Sequence, residues 1–192
     1  MLYLILGIAL FFGAHTLTML RELRAGLQER LGSGGYKGLY SLVSALGLGL
    51  MIYGYGLARF EGAPQIYEPP VGLKHVAFLL LLPVFVFLIA AYVPGRIKRA
   101  LKHPMLVAVK LWALAHLLAN GDLASVLLFG SFLVWAVVDR ISIKRRVPVA
   151  AGGPPQIDVG PAGDVVALVG GLALYGLFVW KLHEWLVGVA PM

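Results

Sequence analysis

Six apolar stretches, each near the length of a membrane-crossing helix, alternate along the chain with short polar segments. About 20 apolar residues are needed to cross roughly 30 Å of hydrocarbon. On that scale the pattern predicts spans over 1–20, 38–58, 71–94, 104–118, 123–138 and 164–187. The polar punctuation supports these limits. Arg21, Arg24 and Arg30 make a basic amphiphilic stretch after the first span, and Gly32, Ser33, Gly34 and Gly35 predict a turn before Lys37. Pro64, Pro69 and Pro70 mark the next connection. Pro83 lies in the middle of the third span, where its missing N–H predicts a kink. Pro104 suits the first helical position of the fourth span, where that N–H would have no partner anyway. Asn120, Gly121 and Asp122 predict a tight turn with Asp122 capping the fifth helix. Between Arg140 and Gly163, a basic run at 144–146 and a Pro/Gly stretch at 152–155 predict a loop. The first span has neither the basic start nor the small-residue cleavage pattern of a signal peptide, so it is expected to be retained.

Composition agrees with this pattern. Hydrophobic residues make up 60% of the 192 and charged residues 13%, with a mean hydropathy of +0.87. A core this small cannot hide that much apolar surface, so lipid is the solvent for most of it. The expected fold is an all-α polytopic membrane helix bundle of about six transmembrane helices, forming one domain over 1–192. The chain has no cysteine, which excludes disulfides, thiolate metal sites, iron–sulfur clusters and a cysteine nucleophile. A net charge of +7 would suit nucleic acid if it formed a patch. Here the basic residues fall in clusters between spans, so the expected partner is the lipid bilayer and no nucleic acid is expected. Successive loops carry four, two, four, no and four Lys or Arg residues. By the positive-inside rule the odd loops are cytoplasmic, placing the chain in the inner (cytoplasmic) membrane with both termini periplasmic. No inverted repeat or matched pair of broken helices points to a carrier.

Polar residues at membrane depth are costly unless paired or useful. His15 lies late in the first span; His116 lies deep in the fourth, on one helical face with Trp112 and Asn120. His75, His103 and His183 fall near span ends, where they reach water. A lone membrane histidine commonly makes an interhelical hydrogen bond. Two deep ones on separate helices also suit the axial positions of a flat iron porphyrin, with His15 and His116 approaching one iron from opposite faces. Such a group needs small residues for close approach, which Gly47, Gly49, Gly54, Gly56, Gly170 and Gly171 supply, and close helix packing uses the same residues. Its propionates need cations, for which Arg21, Arg24, Arg96 and Lys110 are candidates, Arg21 and Lys110 chief among them. Lys110, inside the fourth span, can equally snorkel to the surface.

The segment KHPMLVAVKLWALAHLLANGDLASVLLFGSFLVWAVVD, residues 102–139, resembles the signature half of the NnrU family. FFGAHTLTMLRELR, which holds His15 and Arg21, resembles that family's opening motif. The family includes bacterial proteins associated with nitrite and nitric oxide respiration, and plant and cyanobacterial 15-cis-zeta-carotene isomerases. The resemblance implies haem b, axial ligands at His15 and His116, and a redox-linked enzyme or accessory factor acting on a hydrophobic or small-molecule substrate. It also admits a carotenoid-type cis–trans isomerase and a non-catalytic sensor or assembly subunit. Two departures from the isomerases stand out. Ala113 replaces their cysteine three residues before the later histidine, and YGYGLARFEGAPQIYEPP lacks the histidine of their second connection. Lys102, His103 and Pro104 further resemble membrane methyltransferases of the isoprenylcysteine type, which use S-adenosylmethionine. The tail offers only Glu184 with Lys181, and no following arginine, toward that pocket.

The alternation of basic loops makes a topological prediction. Reporter fusions within 144–146 are expected to read as cytoplasmic and a fusion after Met192 as periplasmic. A cytoplasmic signal from the carboxyl-terminal fusion contradicts the six-span arrangement.

Overall fold

The structure, a computed structural model, describes residues 1–93, 95–145 and 160–191. Arg146 and the Pro/Gly stretch at 152–155 lie outside the described residues. The helices are α1 (Leu2–Thr16), α2 (Arg21–Phe60), α3 (Val71–Leu81), α4 (Val84–Tyr92), α5 (Arg96–Leu101), α6 (Pro104–Ala119), α7 (Leu123–Arg145), α8 (Pro161–Leu177) and α9 (His183–Val187). A π-helical segment, Phe178–Leu182, joins α8 to α9. Among the described residues the only β pairing is an isolated bridge between Gln65 and Asp122. The protein is therefore an all-α membrane protein. Four segments are long and apolar enough to cross a bilayer: Arg21–Phe60, Val71–Tyr92, Leu123–Arg145 and Pro161–Val187. Leu2–Thr16 and Pro104–Ala119 are apolar but shorter. At about 1.5 Å per residue they reach roughly 24 Å, less than the hydrocarbon thickness.

Several local expectations hold for the reasons given. Pro83 divides the third span, with α3 ending at Leu81 and α4 starting at Val84. Pro104 opens α6. The expected turn at 32–35 shrinks to one residue: Gly32, at φ 70° and ψ 160°, breaks a helix that otherwise runs from Arg21 to Phe60. Ser33, Gly34 and Gly35 stay helical, and only Gly32 takes the positive φ that a glycine adopts without strain. The fifth helix likewise continues to Arg145, past the expected end, because Arg140 and Lys144 can reach water along their stems without leaving the helix.

The described residues cluster into two compact units. The first joins Met1–Pro69 to the segment beginning at Asn120, and so contains α1, α2 and α7. Its core is Leu4, Met51, Ala58 and Ala124, with Ile8, Phe11, Tyr55, Leu127 and Phe132 against them. Helices α1 and α2 meet at backbone distance. Gly54 lies against the backbone of Leu4, Gly47 against that of Phe11, and Gly7 against Met51 and Leu50. Small residues allow this approach, which replaces hydrophobic driving force with van der Waals contact in lipid. Gly49 and Gly56 have open space around them.

The second unit joins Pro70–Ala119 to the final helical run. Helix α4 packs on α8 through Val86, Ala90 and Ala167, and Gly171 lies against the backbone of Val86. Helix α6 packs on α3 and α4. Near the Pro83 kink, the Tyr175 hydroxyl donates to the Phe78 carbonyl at 3.1 Å. At the other end of α4, Lys98 Nζ donates to the Ala91 carbonyl at 2.9 Å, occupying one of the carbonyls a helix leaves open at its C-terminus. The Asp164 carboxylate accepts from the Ile97 backbone N–H at 3.0 Å and so covers the start of α5.

The α1–α2 contact makes a prediction. Gly54→Ala places a Cβ inside the Leu4 backbone and is expected to lower stability by about 1–3 kcal/mol. Gly56→Ala, on the same helix with open space, is expected to leave stability equal or slightly higher. Thermal unfolding in detergent reads both, and equal midpoints would remove the glycine contact from the account of this unit.

Candidate functional site

His15 belongs to the last turn of α1, in the first unit. Its Nδ1 lies 2.7 Å from the Phe11 carbonyl, one turn back. A carbonyl only accepts, so Nδ1 carries the proton, and in the neutral ring Nε2 holds the lone pair. Three aromatic rings surround the imidazole. Phe11 stacks on it with ring centres 4.0 Å apart, Tyr40 is tilted at 5.5 Å, and Trp135 stands edge-on at 5.6 Å. The Trp135 Nε1 is buried without a hydrogen-bond partner. Beside this cluster, Ala14 and Leu17 of α1 and Leu27, Leu31, Tyr36 and Tyr40 of α2 line an apolar cleft of about 270 Å³. Residues on both sides of the Gly32 break, Leu27 and Leu31 before it and Tyr36 and Tyr40 after it, line that cleft.

His116 lies one turn before the end of α6, in the second unit. Its Nδ1 is 2.8 Å from the Trp112 carbonyl, the same one-turn-back bond that His15 makes. The Trp112 ring is 5.2 Å away and tilted by 51°. The next ring is unexpected: His183, assigned from sequence to a span end, has its centre 6.5 Å from that of His116 and lies within 20° of parallel. His183 Nδ1 donates to the Val189 carbonyl at 2.7 Å. All three imidazoles thus have the same tautomer, each Nδ1–H held by a backbone carbonyl.

The other expected site residues are placed differently. Arg21 is exposed at the start of α2, in the first unit, and Lys110 is partly buried in α6, in the second. Gly47, Gly54 and Gly171 are taken up by helix contacts. Asp122 caps α7 as expected: Oδ1 accepts from the Ser125 backbone N–H at 2.9 Å and Oδ2 from the Ser125 hydroxyl at 2.6 Å. With its proton committed to the carboxylate, Ser125 Oγ accepts from the Tyr55 hydroxyl, 2.9 Å away. This Tyr55–Ser125–Asp122 chain was not legible in the sequence, because its members come from different helices. Asp122 also lines a small cleft with Arg59, Gly62 and Ala63. The connection after α2 lies on the same turn: Leu123 N–H donates to the Pro64 carbonyl and Tyr67 hydroxyl to the Asn120 carbonyl. Burial, and then the Asp122 charge, push the Tyr67 phenol above its ordinary pKa, so it stays a donor.

Among the described residues no three His, Asp or Glu side chains gather into a group able to hold a metal ion. A family model described as NnrU protein matches residues 3–191. Comparison with curated proteins and with solved structures gives no match.

The cap network makes a prediction. Asp122→Ala removes two acceptors and strands the buried Ser125 hydroxyl, so a loss of about 1–3 kcal/mol is expected. Asp122→Asn, which keeps one side-chain acceptor, is expected to lose less. Unfolding midpoints of the two variants in detergent check the order, and equal midpoints would mean the cap contributes nothing.

Proposed function

The chain belongs to the NnrU family, and from that premise we propose that it is a haem b-binding protein of the inner membrane, with His15 and His116 as candidate iron ligands. The observation that carries this reading is the shared tautomer. With Nδ1–H held by a carbonyl at 2.7 Å in His15 and 2.8 Å in His116, the lone pair of each neutral ring sits on Nε2. Ligating histidines in metal proteins are held in the same way, with the second ring nitrogen bonded to a carbonyl or carboxylate. The donor chemistry narrows the group further. A bare ion such as zinc needs four ligands, whereas a porphyrin brings four nitrogens of its own and asks the protein for only one or two. Two imidazoles in an apolar setting fit that demand.

Haem bound here would supply an iron that changes oxidation state and takes small ligands. The chain's own residues would do the rest. The carbonyls of Phe11 and Trp112 hold the ring orientations, and Phe11, Tyr40, Trp135 and Trp112 keep water from the imidazoles. Arg21 and Lys110 are the cations we assign to the propionates. The family's association with nitrite and nitric oxide respiration supports a redox-linked enzyme or accessory factor in that metabolism. The basic-loop alternation supports periplasmic termini.

Absorption spectra of protein expressed with haem supplied and purified in detergent test the proposal. The wild type is expected to show a Soret band, and the double variant His15→Ala/His116→Ala to lose it. A full, unshifted band in the double variant rejects the assignment.

A further inference from the structure

We propose that the apolar cleft of the first unit is a lipid site, which takes one acyl chain of an anionic phospholipid and holds the phosphate of that lipid at Arg24. The inference concerns a face of the molecule that the haem reading does not use, and it stands independently of that reading.

The cleft lies on the side of α1 turned away from His15. Its lining residues on that helix, Ala9, Leu10, Gly13, Ala14 and Leu17, fall within an arc of about 140° at about 100° per residue. The middle of that arc is about 170° from His15, whereas Phe11, which stacks on the imidazole, is only about 40° from it. Tyr40 stands between the two places, lining the cleft and lying 5.5 Å from His15. The opposite wall comes from α2, with Leu27 and Leu31 before the Gly32 break and Tyr36, Leu39 and Val43 after it. Apart from the two phenols the lining carries no polar side chain. A cleft of about 270 Å³ with such walls stabilises hydrocarbon and offers a polar ligand no hydrogen bonds to replace those of water. Gly13 keeps it open, since a Cβ there would meet no atom within 4 Å.

Charge decides which lipid fits. The segment that supplies Leu27 and Leu31 is amphipathic: Leu20, Leu23, Leu27 and Leu31 recur at helical spacing, and from 21 to 37 the cations Arg21, Arg24, Arg30 and Lys37 outnumber the acids Glu22 and Glu29. Arg24 stands at the rim. Its guanidinium lies 6.0 Å from the centre of the Tyr36 ring, which forms part of the wall, while the residue itself is exposed. An arginine in that position lays its stem along apolar surface and presents a planar fork of donors, the geometry that binds a phosphate through two oxygens. The count of basic loops puts this connection on the cytoplasmic side, where the leaflet carries anionic headgroups. Chain and headgroup are thus matched at adjoining places, hydrocarbon by the cleft and phosphate by its rim.

Native mass spectrometry of the full-length protein in detergent, with added phospholipids of identical acyl chains, tests the site. Dioleoyl phosphatidylglycerol is expected to stay bound as a single molecule, and zwitterionic dioleoyl phosphatidylcholine to be held about five-fold more weakly. Arg24→Gln is expected to lower affinity for the anionic lipid about five-fold and so to abolish the preference. Gly13→Leu fills the cleft and is expected to displace either lipid, while its lipid-free unfolding midpoint equals or exceeds that of wild type because leucine favours the helix more than glycine does. Glycerol phosphate, which has the headgroup chemistry without the chains, is expected not to bind. Equal retention of the two lipids by wild type overturns the proposal, as does an unchanged anionic preference in Arg24→Gln. Full retention of lipid in a folded Gly13→Leu protein places the lipid elsewhere and also overturns it. Haem content is expected to be the same in both variants and wild type, so this test is read separately from the haem spectrum.

Discussion

A polypeptide in hydrocarbon has no water to complete its backbone hydrogen bonds, and the rest of this structure follows from that scarcity. Nearly every described residue of the apolar segments is helical, and each departure occurs where something compensates. Gly32 breaks α2 at the one residue able to take positive φ without strain. At Pro83 the helix loses a donor, and one residue before the carbonyl this frees, Phe78 O accepts both the Leu82 N–H and the Tyr175 hydroxyl. At the start of α7, Asp122 takes up an N–H that the helix cannot satisfy for itself, and the Pro64 carbonyl takes another.

With the backbones self-satisfied, what remains to hold helices together is contact, and glycine governs how close they come. Gly7, Gly47 and Gly54 bring α1 and α2 to backbone distance in one unit, and Gly171 does the same for α8 and α4 in the other. This settles a choice open at the level of residue types. Glycines at those positions fit either a macrocycle or a neighbouring helix, and the neighbouring helix occupies them.

The same scarcity of water gives the histidines their chemistry. A buried imidazole needs an acceptor for its N–H, and the helix supplies one, a carbonyl one turn back, to both His15 and His116. His183 finds its acceptor in a carbonyl returned by the glycine reversal at the chain's end. Satisfying the N–H on one side of each ring leaves the lone pair on the other.

Hydropathy and proline placement, which are local, made the fold class legible: the apolar runs, the kink at Pro83, the helix start at Pro104 and the cap at Asp122 all follow from residues within a turn or two of each other. The family was legible too, because LWALAHLLANGD is contiguous text. The continuation of α2 through Ser33, Gly34 and Gly35 was not, since a glycine's cost inside a helix is about 1 kcal/mol and tertiary context overrides it. Nor was the company His116 keeps. A sequence read at a constant 100° per residue leaves out the π turn at Phe178–Leu182, and only the folded helix brings the His183 ring centre to 6.5 Å from that of His116. Local periodicity fixes which segments are helices, but the phase of a helix after an insertion, and hence which side chains meet, is set by the contacts that make the insertion worth its cost.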